Sequence, residues 1–459
     1  MTRAQVAIPT AGDPSASVIV RASIPSLVRT DTSPLTPPRS AEATRLRDQL
    51  GLPTDRPIVM SGHQAEWWHP GILAKLFAAR AIADRIGGVV VWLVVDQDDN
   101  DPGAIRIPTL RDNRTVTTTD HRLAPESHAA TGWRPPITQI TLPDLGAIAA
   151  ESARAGITRI GEAMRARASE RTLARQLGLA AIDLATHVVR TDHVIFASDL
   201  AATDAWAALI GRMAADPEAC IRAYNEPASR LPADQIRALG SDPARNRWEL
   251  PVWSIDAGGG RSRVWSDSPA LDDPTTLLPR ALSMTALVRT LACEMFIHGT
   301  GGEAYDTVTD QWIPAWLGVP VAPTGMATAT LHLPLDRFSI DAGAVRQATA
   351  RAHKARHDPA VVGEEALRAK KLELVDRIRA DRAAGGSGRE GYLALHRMLE
   401  SYRADHAEEL ARLAAIGAES RDAYRRSRRT ILARDWPFPF YDSAALAGVG
   451  RAIAASVGG

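Results

Sequence analysis

One short segment obliges this chain to build a parallel β-sheet. Pro57-Ile58-Val59-Met60 is a β-prone run that enters a polar stretch, Ser61-Gly62-His63-Gln64. Trp67-Trp68-His69-Pro70-Gly71 then opens a helix expected over about Ile72–Ile86. Gly87-Gly88 ends that helix, and Val89-Val90-Val91-Trp92-Leu93-Val94-Val95 is an almost pure β run stopping at Asp96-Gln97-Asp98-Asp99-Asn100-Asp101. Strand, helix and strand at this spacing form a βαβ unit, and its crossover makes the two strands parallel. Both polar stretches therefore leave the same edge of the sheet. In open α/β sheets that carboxyl edge is where ligands bind. The expected fold class is α/β, with His63, His69 and the aspartates on one rim.

The rest of the chain is read around that unit. Residues 1–46 are rich in Pro, Ser and Thr with one β run, Val18-Ile19-Val20, and are expected to form an N-terminal extended arm. The α/β core is expected over 47–341, with Thr115–Pro143 irregular and a helical insertion at about 144–190, where Ala149, Ala153, Ile157, Ile160 and Met164 keep helical spacing. His193-Val194-Ile195-Phe196 reads as another buried strand. Trp248–Ile255 and Ser262–Trp265, flanking Gly258-Gly259-Gly260, read as a hairpin. A second strand–loop–helix unit starts near Leu287. Its strand, Leu291–Ile297, runs into His298-Gly299-Thr300-Gly301-Gly302, and a helix follows to Leu317 with Gly318 as its C-cap.

Past Gly343 the character changes. Two long charged helices, about Val361–Arg382 and Arg389–Leu432, flank Ala384-Gly385-Gly386-Ser387-Gly388. Tyr392, Leu395, Leu399, Tyr402, His406, Leu413 and Ile416 step mostly by three and four, so residues 342–434 are expected to form a helical coiled-coil hairpin. The tail, 435–459, begins with the apolar Trp436-Pro437-Phe438-Pro439-Phe440-Tyr441 and is expected to pack on the core.

Composition narrows the function classes. A net charge of +1 gives no support to a broad nucleic-acid-binding field. No apolar run reaches membrane-spanning length and no secretory leader pattern opens the chain, so the expectation is a cytoplasmic protein without membrane or nucleic-acid partners. Cys220 and Cys293 have neither CxxC spacing nor a disulfide framework and read as buried thiols. Arg and Ala dominate while Lys is scarce, which reads as base composition rather than chemistry.

Three stretches can carry chemistry. The helix start at Pro70-Gly71, after Ser61-Gly62-His63-Gln64, offers backbone N–H groups to phosphate or carboxylate, with Gly62 permitting close approach. His63 and His69 can donate to a phosphoryl oxygen or move a proton near neutral pH. Asp96, Asp98, Asp99 and Asp101 end a fully apolar strand and would repel one another without a cation, so Mg²⁺ or a substrate ammonium is expected there. The Gly299, Thr300, Gly301, Gly302 loop lets a nucleotide or substrate approach, with Glu303 and Tyr305 on the following helix. Arg280 and Arg289 are candidate anion contacts. Beside each stands a bland reading: His63 capping the loop with His69 packed beside Trp67 and Trp68, a solvated acidic turn, a tight glycine turn.

These elements, in this order, resemble the bacillithiol biosynthesis cysteine-adding enzyme family. Ser61-Gly62-His63-Gln64 with Pro70-Gly71 is similar to that family's Gly-Gln-Gln loop ending in Gly-Pro. Val91-Trp92-Leu93 followed by Asp96-Gln97-Asp98-Asp99 resembles its aromatic run and acidic Glu-Asp-His-Asp cluster. Gly299-Thr300-Gly301-Gly302 with Tyr305 resembles its Gly-Pro-Gly-Glu loop and nearby Tyr. His63 stands where the family has Gln, Asp98 where it has His, and Gly302 near its loop Glu, which marks a diverged member. The resemblance implies a Rossmann-like core with an ATP-type pocket and a C-terminal coiled coil that mediates dimerisation. It also implies activation of an amino-acid carboxylate, cysteine in the family, followed by capture by the amine of a sugar conjugate.

The resulting expectation is a ligase-like homodimer binding ATP or ADP, with Mg²⁺. His63, His69, Asp96 and Asp99 carry the chemistry. Ser61, Gly62, Gln64, Gly71, Asp98, Asp101, Arg280, Gly299–Gly302, Glu303 and Tyr305 bind small-molecule substrates or nucleotide. Two alternatives stand beside it: a metal-dependent hydrolase or transferase with His63, His69, Asp96 and Asp99 as ligands, and a non-catalytic scaffold using the C-terminal hairpin.

Overall fold

The computed structural model describes residues 4–10, 13–23, 40–98, 100–101, 103–111, 115–123, 133–232, 235–256 and 260–458, with backbone alone at 4–23, 303–304 and 458. The chain forms two units, the first from residues 1–107, 119–333 and 434–459, the second from 108–118 and 334–433. Among the described residues no helix is long and apolar enough to cross a membrane.

The first unit is built on a sheet of seven strands: β1 (Ala4–Thr10), β2 (Asp13–Ser23), β3 (Ile58–Gln64), β4 (Val89–Val95), β5 (His193–Phe196), β6 (Met295–His298) and β7 (Thr324–Thr330). Across the sheet they lie in the order β1-β2-β7-β6-β3-β4-β5. The strands from β7 to β5 are mutually parallel, so a mixed α/β fold with a parallel core is established. β2 runs antiparallel to β7, and β1 antiparallel to β2. The stretch expected to be an extended arm therefore contains a hairpin that closes this edge of the sheet, followed by helix α1 (Ala41–Gln49). Val18-Ile19-Val20 is only the centre of an eleven-residue strand.

β4 is apolar throughout because both of its faces are covered. Val89, Val91 and Leu93 join a core with Ile58, Met60, Ile195 and Trp206. On the opposite face, the Trp92 ring meets Trp68 at 4.6 Å between centroids. Helix α2 (Pro70–Ile86) covers that face. It starts on His69 as N-cap with Pro70 in the first turn, where its missing N–H costs nothing, and ends at Gly87 with φ 66°. Gly62 is required by the β3–β4 pairing, since a Cβ there would lie 2.4 Å from the Leu93 carbonyl oxygen.

Helices Glu151–Ala166 and Leu173–Ala185 occupy the region expected as a helical insertion, and Gly178 of the second packs directly on Val94. The segment expected to be irregular after Thr115 instead contributes Thr115–Arg122 to a two-stranded ribbon with Ala104–Arg111. Its Thr and Arg content hides the buried Ile105, Ile107 and Val116 that alternate along it. The strand expected at Leu291–Ile297 is shorter, because helical turns persist through Ala292 before β6 begins. The hairpin Arg247–Ile255 with Arg261–Trp265 is present, while residues 257–259 at its turn lie outside the described set. The tail returns to the first unit, where the Phe438 N–H donates to the Trp68 carbonyl at 2.6 Å.

The second unit is helical: Ala342–Ala355, Glu365–Ala383, Arg389–Asp405 and Ala407–Ile431. The long helix expected over Arg389–Leu432 is broken at His406, and a further helix precedes the expected pair. Glu365–Ala383 and Arg389–Asp405 turn back on each other through Gly385 and Gly388, both at positive φ, with Asp381 accepting from the Gly388 N–H at 2.7 Å. Tyr402 ties Arg389–Asp405 to the end of Ala342–Ala355, its hydroxyl donating to the Ala355 carbonyl at 2.6 Å inside a cluster with Leu399, Leu410 and Leu413.

Candidate functional site

Taken in chain order, the five parallel strands lie 3-2-1-4-5 across the sheet. The chain therefore moves outward one way from β3 and the other way from β6, and these two strands are neighbours. Connections leaving adjacent strands in opposite directions open a crevice at their carboxyl ends. His63 and Gln64 end β3, and His298 with Gly299–Gly302 follows β6. Two segments more than 200 residues apart in sequence thus meet at one rim.

At this crevice His63 is half-buried. Its Nε2 lies 2.9 Å from Glu66 Oε1 and its Nδ1 lies 3.4 Å from Lys75 Nζ. Lys75 rises from α2 beneath the rim, 4% exposed, and donates to the Gly62 carbonyl at 2.5 Å. Its ammonium sits 5.4 Å from the Trp92 ring centroid. Burial drags the Lys75 amine down to about 7, only partly opposed by the charge of Glu66. Burial, and then Lys75, hold His63 below its ordinary value. Burial pushes Glu66 up, but the His63 hydrogen bond and the charges of His63, His69 and Lys75 outweigh it and keep the carboxylate ionised. Gly299 closes over the lysine stem, a Cβ on it falling 3.7 Å from Lys75 Cδ.

Helix α3 (Gly302–Leu317) leaves the glycine loop with no side chain capping its first turn. The Gly302 N–H donates to the Gly299 carbonyl at 3.1 Å, and among the described residues the N-cap supplies no side-chain acceptor to the N–H groups that follow, the arrangement that attracts anions. A Cβ at Gly301 would meet nothing within 4 Å, whereas one at Gly302 would strike the His298 ring. Thr300 and Tyr305 are exposed beside this start, and the Glu303 side chain lies outside the described set. His298 is held from below by Asp306, which in turn accepts from Arg289 at 2.9 Å.

Several residues expected at the site serve the scaffold instead. His69 is the N-cap of α2, its Nδ1 accepting from the Gly71 N–H at 3.0 Å, and burial with the neighbouring His63 drives its imidazole down to about 4. A ring used this way is a neutral acceptor and has no free Nδ1 for a metal or a proton. Gly71 is there for packing, since a Cβ would press on His69 and on the Ala329 carbonyl. Ser61 is buried and donates to the Ile297 carbonyl at 2.7 Å, tying β3 to β6. Arg280 is spent on Glu249 at 2.9 Å, on the Val252 carbonyl and on the Trp253 face. Arg289 is buried between Asp306 and Asp310.

The acidic run is dispersed as well. Asp96 turns inward and accepts from the Ser198 N–H at 2.9 Å and its hydroxyl at 2.5 Å, with Arg175 at 4.0 Å; burial raises its carboxyl. Asp98 takes Arg261 at 2.8 Å and the Gln64 amide at 3.2 Å. Asp101 pairs with Arg122 at 2.6 Å. Asp99 lies outside the described residues. For the three described carboxylates the expected repulsion is relieved by Arg175, Arg261 and Arg122 from other parts of the chain. Among the described residues no three His, Cys, Asp or Glu side chains gather around a common point. Cys220 and Cys293 are both buried and unpaired with each other.

Sequence reasoning passed over Lys75 and Glu66. Lys75 had one signal: it is a basic residue inside the otherwise apolar Ile72-Leu73-Ala74…Leu76-Phe77 stretch of α2. No family model and no curated protein matches the chain.

Proposed function

We propose that the first unit is a Rossmann-like, ligase-type enzyme domain that binds an adenine nucleotide in the crevice between β3 and β6. In this reading it activates an amino-acid carboxylate, cysteine being the substrate in the family the sequence resembles, for capture by the amine of a small sugar-conjugate acceptor. One observation carries the reading: the strand order reverses between β3 and β6, so that His63 and the Gly299–Gly302 loop flank the same crevice. The uncapped start of α3 supplies N–H donors for phosphate oxygens. Mg²⁺ would enter with the nucleotide phosphates, because Asp96, Asp98 and Asp101 are already paired with protein groups. The same pairing, with His69 used as a cap, leaves no observation favouring the metal-dependent hydrolase.

The second unit is proposed to form a coiled-coil contact between two copies of the chain. Leu372, Tyr392, Leu393, Ile416 and Leu432 are all at least 45% exposed, apolar side chains that a second copy would cover.

The decisive experiment is a thermal-shift series with ATP, ADP, AMP and the common amino acids, with and without Mg²⁺, followed by an amino-acid-dependent pyrophosphate or phosphate release assay. Stabilisation by adenine nucleotides, lost when Gly301 is replaced by a bulky residue, supports the reading. Indifference to every nucleotide sinks it.

A further inference from the structure

The chain carries 54 Lys and Arg residues, and only four of them are lysines: Lys75, Lys354, Lys370 and Lys371. Three lie in the helical second unit, so Lys75 is the sole lysine of the first, and it is buried at the crevice. Arginine stays charged under all ordinary conditions, whereas a desolvated lysine gives up its proton readily. A position that must hold a removable proton is one where an arginine-rich chain would still need lysine.

From the chain of contacts between them, we propose that Lys75, His63 and Glu66 form a proton relay, in which Lys75 takes a proton from a ligand group in the crevice and passes it outward to Glu66. The distances, 3.4 Å from Lys75 Nζ to His63 Nδ1 and 2.9 Å from His63 Nε2 to Glu66 Oε1, make an unbroken line. The polarity of the two hydrogen bonds gives it a direction. An ionised Glu66 takes the Nε2 proton of a neutral His63, which leaves Nδ1 as the acceptor for a Lys75 N–H. Exposure rises along the line from 4% at Lys75 to 25% and 43% for the His63 and Glu66 side chains, so the last group exchanges with water.

The step balances. The ligand N–H or O–H loses a proton to the Nζ lone pair, Lys75 gives one to His63 Nδ1, and the Nε2 proton moves to Glu66, which becomes a neutral acid and returns it to solvent; His63 is left as its Nδ1–H tautomer and must regain the Nε2–H form before the next transfer. This is the proton an acceptor amine must lose when it forms a C–N bond, so the inference rests on the ligase reading of the crevice. The surrounding charges are few. Asp98 faces His63, and His69 faces Glu66. Of the elements packed on α2, β4 and β7 carry no charged side chain, β6 ends in His298, and the C-terminal helix Ser443–Gly458 brings Arg451.

Four lysines make a simple spectrum. In full-length protein labelled with ¹³C at lysine Cε, Lys75→Met assigns the Lys75 signal by its disappearance, and pH titrations of wild type, Glu66→Gln and His63→Gln test the relay, with thermal melts to establish that each is folded. The expected result is a Lys75 midpoint within about one unit of pH 7, moved down by about half a unit or more in Glu66→Gln and displaced in His63→Gln. A wild-type midpoint near that of the other three lysines overturns the proposal, and so does a midpoint that neither substitution moves. The nucleotide thermal-shift series is independent of these titrations: bound nucleotide with an uncoupled Lys75 removes the relay alone, and a coupled Lys75 without nucleotide binding removes the ligase reading alone.

Discussion

Replacing Lys75 with Met should alter how the stability of the first unit depends on pH, and the structure gives the size. Burial lowers the amine from its ordinary 10.5 to about 7 in the folded chain. The folded pKa lies below the unfolded one, so over this window the unfolded state binds more protons and stability rises with pH. Below about pH 7 both states are charged, and the full penalty of burying the ammonium is present and constant. Between pH 7 and pH 10 that penalty is progressively lifted. At 1.36 kcal/mol per pKa unit, with partial titration at each end, the window corresponds to about 3 kcal/mol. The hydrogen bond to the Gly62 carbonyl is lost in the variant at every pH and cancels when the two ends are compared. All eleven tryptophans lie in the first unit, so urea unfolding followed by Trp fluorescence reports on that unit alone. Wild type should gain about 3 kcal/mol on Lys75→Met in going from pH 7 to pH 10. Parallel profiles would show that the lysine keeps its proton in the folded chain, and the electrostatic reasoning at the crevice would fail.

His63→Ala should remove at least two orders of magnitude of turnover in the release assay while leaving the melting temperature nearly unchanged, because general acid–base groups of this kind contribute about 10²–10⁴ in rate; wild-type activity in the variant would refute its role. His69→Ala should do the reverse, costing about 1 kcal/mol of stability through loss of the α2 cap with nucleotide binding retained. A variant as stable as wild type would mean that the cap carries no weight. Leu393→Glu combined with Ile416→Glu should convert a dimer to a monomer in light scattering without loss of helical content, and a dimer that survives both changes would exclude these side chains from the contact.

Much of the fold was legible because it is written in short-range periodicities. The βαβ unit from Ile58 to Val95, the strand at His193, the helix start after Gly301 and the helical character past Gly343 all follow from spacing, caps and β-branched runs within a few residues of each other. The N-terminal hairpin and the ribbon after Ala104 were harder. Their strands are amphipathic and rich in Thr, Ser or Arg, and such strands are secured mainly by a partner rather than by their own composition.

The site divides along the same line. His63 and the Asp96–Asp101 run could be assigned to one rim because chain direction follows from the crossover rule, whereas the arrival of the Gly299–Gly302 loop beside His63 depends on the order of the strands in the sheet. What each polar group does there could not, since that depends on which side chain arrives from elsewhere. Asp96, Asp98 and Asp101 look in sequence like a cation site, yet Ser198, Arg261 and Arg122 occupy them from 102, 163 and 21 residues away. Lys75 looks like one solvated position on an Ala-rich helix. Only the packing of α2 against β3 and β4 strips its water and brings His63 and Gly299 to it, and that desolvation turns an ordinary cation into a group that can release a proton near neutral pH. Local sequence determines where strands and helices run and which edge they share, because hydrogen bonding and burial repeat over a few residues. The protonation and pairing of a buried group belong to the tertiary structure, because they are set by whatever replaces its water.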